Sequence, residues 1–375
     1  MKLIDQQVHK LGMAAVFLGL LCGAATSPAE TITSFEIAGS GSAGGEGTIV
    51  HGINSAGTMV GEYIDSAKNA HAYLYTLAGV DTVIDPPGST EAAAEGINDS
   101  GVITGAYADT KGAAQGFVLA ADGTFTTFAA PGAGKAKGQG TIPWAINASG
   151  VIAGTYLDSL GVSHGFVRSA AGTITQFDAP SAGTTKGEGT FMTILFFSNG
   201  PIINAAGQIV GYSIDSGKVH HGFVRAADGT ITELNAPGAG TAAKEGTYAL
   251  GINSTGTIVG AYADAKKAGH GYILATDGTY TDVNVGPGTT PTNGTLIFGI
   301  NDSGVLTGTW GDVSINAAEG FVIAADGTVT SFTAPDAGDK GNGQGTYPLV
   351  VNDAGDIAGL VLDDNQVFHG FVSTP

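Results

Sequence analysis

Aspartate and histidine recur six residues apart five times in this chain: Asp65 with His71, Asp158 with His164, Asp215 with His221, Asp264 with His270, and Asp363 with His369. An imidazole beside a carboxylate is a general acid–base couple or half of a metal site. Five copies argue for a plainer role, because a catalyst needs one centre. Two further aspartates, Asp109 and Asp312, have Gln115 and Glu319 in the histidine's place. A glutamine keeps a hydrogen bond and is a poor metal ligand. The pairs are therefore read as structural, each a charge-assisted bond of about 1.5–3 kcal/mol that pins a loop.

A second polar set comprises Glu46, Gln139, Glu188, Glu245, Asn293 and Gln344, each just ahead of an apolar run. Such side chains can hold a cation or sugar hydroxyls, or can bond the backbone of their own glycine-rich loop. Only the repeat copy through Asn98 lacks this residue, and its loop is shorter.

The elements that position these residues are repeats. The phrase Ile/Val-Asn-x-x-Gly, then glycine, then aspartate, occurs around Asn54, Asn98, Asn147, Asn204, Asn253, Asn301 and Asn352, at intervals of 44 to 57 residues. The copy through Asn253 reads as four strands: 246–253, 257–264, 270–275 and 280–285. Asn-Ser-Thr-Gly and Asp277-Gly278 supply the turns. No helical periodicity interrupts it. Glycine accounts for 62 of 375 residues, more than twice the usual share of about 7%. Its fixed places within the repeat mark turns.

A period near 50 with this pattern suggests propeller blades or a β-solenoid. The termini favour the propeller. The last copy has strands at 346–351, 356–363 and 368–372 and no fourth. Residues 31–36 (TITSFE) match the fourth strand of another copy, 173–178 (TITQFD). The expectation is an all-β, seven-bladed β-propeller of four-stranded blades, closed by an N-terminal strand that completes the last blade. In that fold the second polar set would ring the mouth of the central channel.

Aromatic residues recur on the third strand (Tyr73, Phe117, Phe166, Phe223, Tyr272, Phe321, Phe371) and on the second (Tyr63, Tyr107, Tyr156, Tyr262, Trp310). Their regularity suits packing between sheets better than sugar stacking. Three departures stand out. Residues 191–201 (FMTILFFSNGP) form an apolar insertion, read as a partner contact or a longer buried strand. His51 and Trp144 share one position, three before the asparagine.

Residues 1–29 read as a secretory signal, with Lys2 and Lys10 before the apolar run 11–25. Residues 30–375 then form a single domain, released or held outside the cell after export through the Sec pathway. The only cysteine, Cys22, lies in that leader, so the mature chain needs no disulfide. A net charge of −19 opposes binding to nucleic acid and anionic lipid. No second apolar span calls for membrane insertion, and a monomer is expected.

The phrase Gly-Ile-Asn-x-x-Gly-x-Ile-Val-Gly-x-Tyr-x-Asp, followed by His-Gly-Phe, resembles the HAF-type extracellular repeat of bacteria. Here only His71-Ala72-Tyr73 keeps that triplet's alanine. The resemblance spans nearly all of 31–375. It implies an exported repeat protein and carries no catalytic residues.

No Gly-x-Ser-x-Gly nucleophile or zinc helix is present, and no single copy concentrates distinctive polar residues. The first reading is a secreted, non-catalytic binding module for extracellular carbohydrate or a surface protein, with no cofactor beyond a loosely bound divalent cation such as calcium. The alternatives are a polysaccharide-directed hydrolase or lyase at the channel mouth, and a structural envelope or matrix protein. Abundant carboxylates keep the hydrolase open.

Overall fold

The computed structural model describes residues 31–193, 200–286, 294–311, 317–341 and 343–375. Within these residues the chain is all-β, with no helix. The first strand, β1 (Thr31–Phe35), precedes the first copy. The copy through Asn54 supplies β2 (Gly47–Ile53), β3 (Met59–Ile64), β4 (Ala70–Tyr75) and β5 (Asp81–Val83). The copy through Asn98 supplies β6 (Ala92–Ile97), β7 (Ile103–Ala108), β8 (Ala114–Leu119) and β9 (Phe125–Phe128). The third supplies β10 (Gly140–Ile146), β11 (Ile152–Leu157), β12 (Ser163–Arg168) and β13 (Ile174–Phe177). The fourth contains β14 (Gly189–Phe191), β15 (Ile209–Ile214), β16 (His220–Arg225) and β17 (Ile231–Leu234). The fifth has β18 (Gly246–Ile252), β19 (Ile258–Ala263), β20 (Gly269–Leu274) and β21 (Tyr280–Val283), and the sixth β22 (Gly294–Ile300), β23 (Leu306–Gly311), β24 (Glu319–Ile323) and β25 (Val329–Phe332). The last has β26 (Gly345–Val351), β27 (Ile357–Leu362) and β28 (Phe368–Thr374).

Within each copy successive strands pair antiparallel, as in β18–β19–β20–β21. The last copy's β28 takes its outer neighbour from the other end of the chain: β1 pairs with it, Thr31 opposite Thr374 and Phe35 opposite Gly370. The sequence match between 31–36 and 173–178 predicts this pairing. It leaves β28 with a partner on both sides, which removes an exposed edge.

The turn after each copy's first strand explains the repeated asparagine. Asn54 Oδ1 accepts the N–H groups of Ala56 and Thr58, and Gly57 closes the turn at a φ of 72° that favours glycine. The same side chain's amide then reaches the neighbouring copy. Asn54 donates to Asn98 O, Asn98 to Asn147 O, Asn147 to Asn204 O, Asn204 to Asn253 O, Asn253 to Asn301 O, Asn301 to Asn352 O, and Asn352 back to Asn54 O, at 2.9–3.4 Å. The seven copies thus form a closed circle, each asparagine buried.

Between copies the core is apolar. The third-strand aromatics Tyr73, Phe117, Phe166, Phe223, Tyr272, Phe321 and Phe371 are fully buried, as their regular spacing predicts. One large cluster joins Ile49 and Val50 of the first copy to Tyr248 and Leu250, Phe298, Leu349 and Leu360 of the later ones. A threonine near the start of each first strand also ties adjacent copies. Thr48, Thr141, Thr190, Thr247, Thr295 and Thr346 each accept a backbone N–H from the segment entering their copy, whereas the second copy has Ala92 at that place.

Candidate functional site

The histidines bridge two partners. Nε2 of His71, His164, His221, His270 and His369 lies 3.2–3.7 Å from Asp65, Asp158, Asp215, Asp264 and Asp363 respectively. Nδ1 faces a residue just past the end of the fourth strand: Asp85 at 2.7 Å, Asp178 at 2.8 Å, Asn235 at 3.3 Å, Asn284 at 3.1 Å, and Glu36 for His369. These fourth-strand partners sit 14 residues beyond their histidines in four copies. Pair spacing within the hairpin does not reveal them. Each aspartate is also committed to its own turn; Asp65 Oδ1 accepts the N–H groups of Ala67 and Asn69. The Asn69 N–H is the chief cause of an Asp65 pKa below the ordinary value. Burial works against charge on His71, yet Asp85 and Asp65 raise its pKa. His71, His164 and His270 stack on Tyr63, Tyr156 and Tyr262 at 4.8–4.9 Å.

The loop acids and amides turn inward to their own loops. Glu46, Glu188 and Glu245 are buried, and each accepts a backbone N–H three residues earlier, from Ala43, Thr185 and Ala242. Gln139 accepts Ala136 N–H and Gln344 accepts Lys340 N–H. Lys68 and Lys218 pair with Glu46 and Glu188 at 2.8 Å. The Lys218 ammonium is the main reason the Glu188 carboxyl is held down to about 2. Asn293 and Asp312 lie outside the described residues.

A different set gathers where the repeat is broken. Six first strands carry a β-bulge three residues before the asparagine, at His51, Glu95, Trp144, Leu250, Phe298 and Leu349. Leu250, Phe298 and Leu349 are 0–3% exposed and join the large apolar cluster. Trp144 is buried, its Nε1–H donating to Thr155 Oγ1 at 2.9 Å. His51 and Glu95 are equally buried and form an ion pair, Nδ1 to Oε2, at 2.9 Å. Burial opposes charge on His51, and Glu95 outweighs it, raising the imidazole above its ordinary value.

The seam between the first two copies packs through Val60, Ala72, Ala92 and Ala94 but lacks a backbone bridge, for a local reason. In five other copies a glycine of strongly positive φ starts the first strand and bridges the preceding copy's third strand: Gly47 to Phe368, Gly140 to Ala114, Gly189 to Ser163, Gly246 to His220 and Gly345 to Ala318. A Cβ at any of these glycines would collide with the facing carbonyl oxygen. The second copy has Glu91 at that position. Among the described residues β6 makes no bridge to β4, and the sheet order breaks there, as it does on either side of the sixth copy.

Glu62 projects into this seam. It lies opposite Ala72 on the face that, through Val60 and Ala72, packs on Ala92 and Ala94. Burial raises its pKa most, and Glu95 and Glu91 push the same way while His51 opposes them. His51 Nε2 and Glu91 Oε2 are buried without a hydrogen-bond partner among the described residues. Glu91 also lines a surface pocket with Thr90, Ala108, Thr110, Lys111, Gly112 and Lys137. Among the described residues no three His, Cys, Asp or Glu side chains come together to hold a metal ion. The sequence reading finds polar singularity in no one copy. Here it is assembled from two, by Glu62, Glu91 and Glu95, which spacing along the chain does not single out. Each breaks its column of the repeat, Glu91 most plainly, and that was the available signal.

The insertion at Phe191–Pro201 falls partly outside the described residues, which omit 194–199. Its described limbs are not a longer strand: β14 is 3 residues long, against 6 or 7 for the other first strands. Met192 and Ile202 are buried, and Ile252 N–H donates to Pro201 O. Gly200 abuts the carbonyls of Leu250 and Phe298, so the return limb joins copies four, five and six near the bulge positions.

No family model matches this sequence, and no curated protein matches it. Solved structures do. The BP39L lectin from Burkholderia pseudomallei aligns at a TM-score of 0.50 and 10% identity, covering 84% of this chain and 92% of its own. Puromycin hydrolase aligns at 0.50 and 11%, covering 88% and 50%. Dipeptidyl peptidase 4 of Porphyromonas gingivalis aligns at 0.46 and 10%, covering 76% and 44%. The chain therefore spans half or less of the hydrolase and the peptidase. The likeness is one of fold: an all-β, propeller-like architecture.

Proposed function

We propose that this chain is a seven-bladed β-propeller, four strands to a blade, that binds an extracellular glycan without transforming it. The closed circle of asparagine bonds and the β1–β28 pairing support the blade count and closure. One observation carries the binding role: Glu91, whose Oε2 is buried without a hydrogen-bond partner among the described residues, also lines a surface pocket with Thr90, Ala108, Thr110, Lys111, Gly112 and Lys137. Buried polar atoms are normally bonded. Carboxylates that lack donors suit hydroxyl groups, and sugars present these in fixed array. The loop residues Glu46, Gln139, Glu188, Glu245 and Gln344 hold the scaffold in this reading, since their oxygens already accept backbone N–H groups.

Export through the Sec pathway after loss of 1–29, a single domain over 30–375, a monomeric state and kinship with HAF-type repeats belong to the same proposal. A surface protein is the second class of partner. A hydrolase reading has one favouring observation: Glu62 is pushed toward its neutral acid form while His51 pairs with Glu95, a division suited to acid and base.

The test is a glycan and polysaccharide screen on the purified protein, with and without calcium, each ligand then checked for cleavage. Saturable binding without cleavage, lost in Glu91→Gln, is the expected result. Cleavage that depends on Glu62 or Glu95 overturns the non-catalytic assignment. Absence of glycan binding moves the search to protein partners.

A further inference from the structure

Fourth strands are held in two ways in this fold. β13 follows β12 through the tight turn at 169–172, so the two strands meet at little entropic cost. β1 reaches β28 from the opposite end of the chain, and its docking is borne by contacts alone. Few of those contacts are apolar. Of Thr31–Phe35 only Phe35 is buried; its ring stacks on Tyr75 at 4.0 Å and covers Gly370. The next residue, Glu36, spans the closure. Its Oε1 meets His369 Nδ1 of the last copy, and its Oε2 accepts Thr48 Oγ1–H of the first at 2.9 Å. On the other side of the ring His369 Nε2 lies 3.5 Å from Asp363. β27 sets Val361 opposite this histidine, where His71, His164 and His270 each stack on a tyrosine. Lys340 of the adjoining loop is paired with Asp364. Among the described residues the charged groups that face the imidazole are therefore two carboxylates, Glu36 and Asp363.

We propose that Glu36, His369 and Asp363 form a pH-governed clasp on the closure: the charged imidazole holds β1 on β28, and its neutralisation lets β1 detach while the other copies stay folded. Glu36 is the chief cause of a His369 pKa above the ordinary 6.5; burial works against it, and Asp363 adds to it. The clasp is complete below 6.5 and is lost as pH rises through the folded value. The like couple in the third copy, His164 with Asp178, has no such leverage, because the turn keeps β13 beside β12. Detachment leaves β28 with an open edge, a template for a strand of another chain.

The experiment is amide hydrogen exchange on the purified protein from about pH 5.5 to about pH 8.5, the range in which imidazoles titrate. Rates are corrected for intrinsic exchange, and β1 is compared with β13. Protection at 31–35 is expected to fall roughly 5- to 10-fold across that range, the margin of a charged over a neutral hydrogen bond, while 174–177 holds. His369→Gln keeps a donor without the charge and should show the low protection at every pH. Glu36→Gln should do the same, whereas His164→Gln should leave the β1 transition in place. Protection of β1 that does not change with pH in the unaltered protein overturns the proposal. A transition that persists in both His369→Gln and Glu36→Gln, or that β13 shares equally, overturns it as well.

Discussion

Two sectors around the same circle use one backbone device to opposite ends. In the fifth to seventh copies the bulge carries Leu250, Phe298 and Leu349, which merge into the large apolar cluster. In the first two copies the same bulge carries His51 and Glu95, facing each other at 2.9 Å. The apolar sector gains from removing surface from water and needs no partner of defined geometry. The polar sector gains only if its hydrogen bonds and charges are met. A repeat scaffold therefore tolerates a costly site when its other copies supply the stability and the site stays local.

The sharpest way to break this contrast is to hollow each sector in turn. Phe298→Ala should cost about 3–5 kcal/mol, read from urea unfolding, because its neighbours are packed on all sides. Glu95→Ala should cost a similar 3–5 kcal/mol by leaving His51 buried without its ion-pair partner. The double variant His51→Leu, Glu95→Leu should recover most of that loss. If the double variant is no more stable than Glu95→Ala, the pair is not the cause.

A smaller effect is expected at the circle of asparagines, which both sectors share. Asn352 donates to Asn54 O and to Asp356, and accepts Asp356 N–H. Asn352→Ala should cost about 1–3 kcal/mol, and faster amide exchange at Gly355 and Asp356 would locate the damage. If only the turn and not the closure matters, exchange in the first copy should remain unaltered.

The pH dependence separates the sectors with the least disturbance. His51 and Glu62 both have folded pKa values raised above their ordinary 6.5 and 4.5. For His51 the stabilisation is complete below 6.5 and is lost as pH rises through the folded value. For Glu62 the folded state holds its proton more tightly, so stability falls as pH rises from 4.5 through the raised value. Both slopes have the same sign, and melting temperature should drop between mildly acidic and mildly alkaline pH. Glu62→Gln should flatten part of that drop. Acids with lowered values, such as Asp65, act in the opposite direction and weaken the fold only below about pH 4.

Much of this was legible in the residues themselves. The seven asparagines, the glycine turns and the buried third-strand aromatics repeat at fixed intervals. Local conformation and period-two burial depend on neighbours a few residues away. The N-terminal strand's place beside β28 was readable because 31–36 copies 173–178. Strand ends differed by a residue or so: 280–285 was expected where β21 ends at Val283.

The loop residues show the limit. Glu46 and Glu188 stand ahead of first strands as expected, yet whether a carboxylate faces a channel or its own loop depends on which N–H groups the fold leaves near it. The histidines' closer partners, Asp85, Asp178 and Glu36, follow strands that only sheet pairing brings alongside; Glu36 is 333 residues from His369.

The sequence by itself determined that this is an all-β chain of seven like units, because turn chemistry and alternation are local properties repeated seven times. The tertiary structure alone decided which polar residues meet. His51 and Glu95 are 44 residues apart and touch because two bulges point to the same place. Glu91 leaves the bridge to the first copy unmade because no side chain fits where five other copies bring glycine against a neighbouring carbonyl. Contacts between copies obey packing and charge balance across a gap in sequence, and no period read along the chain contains them.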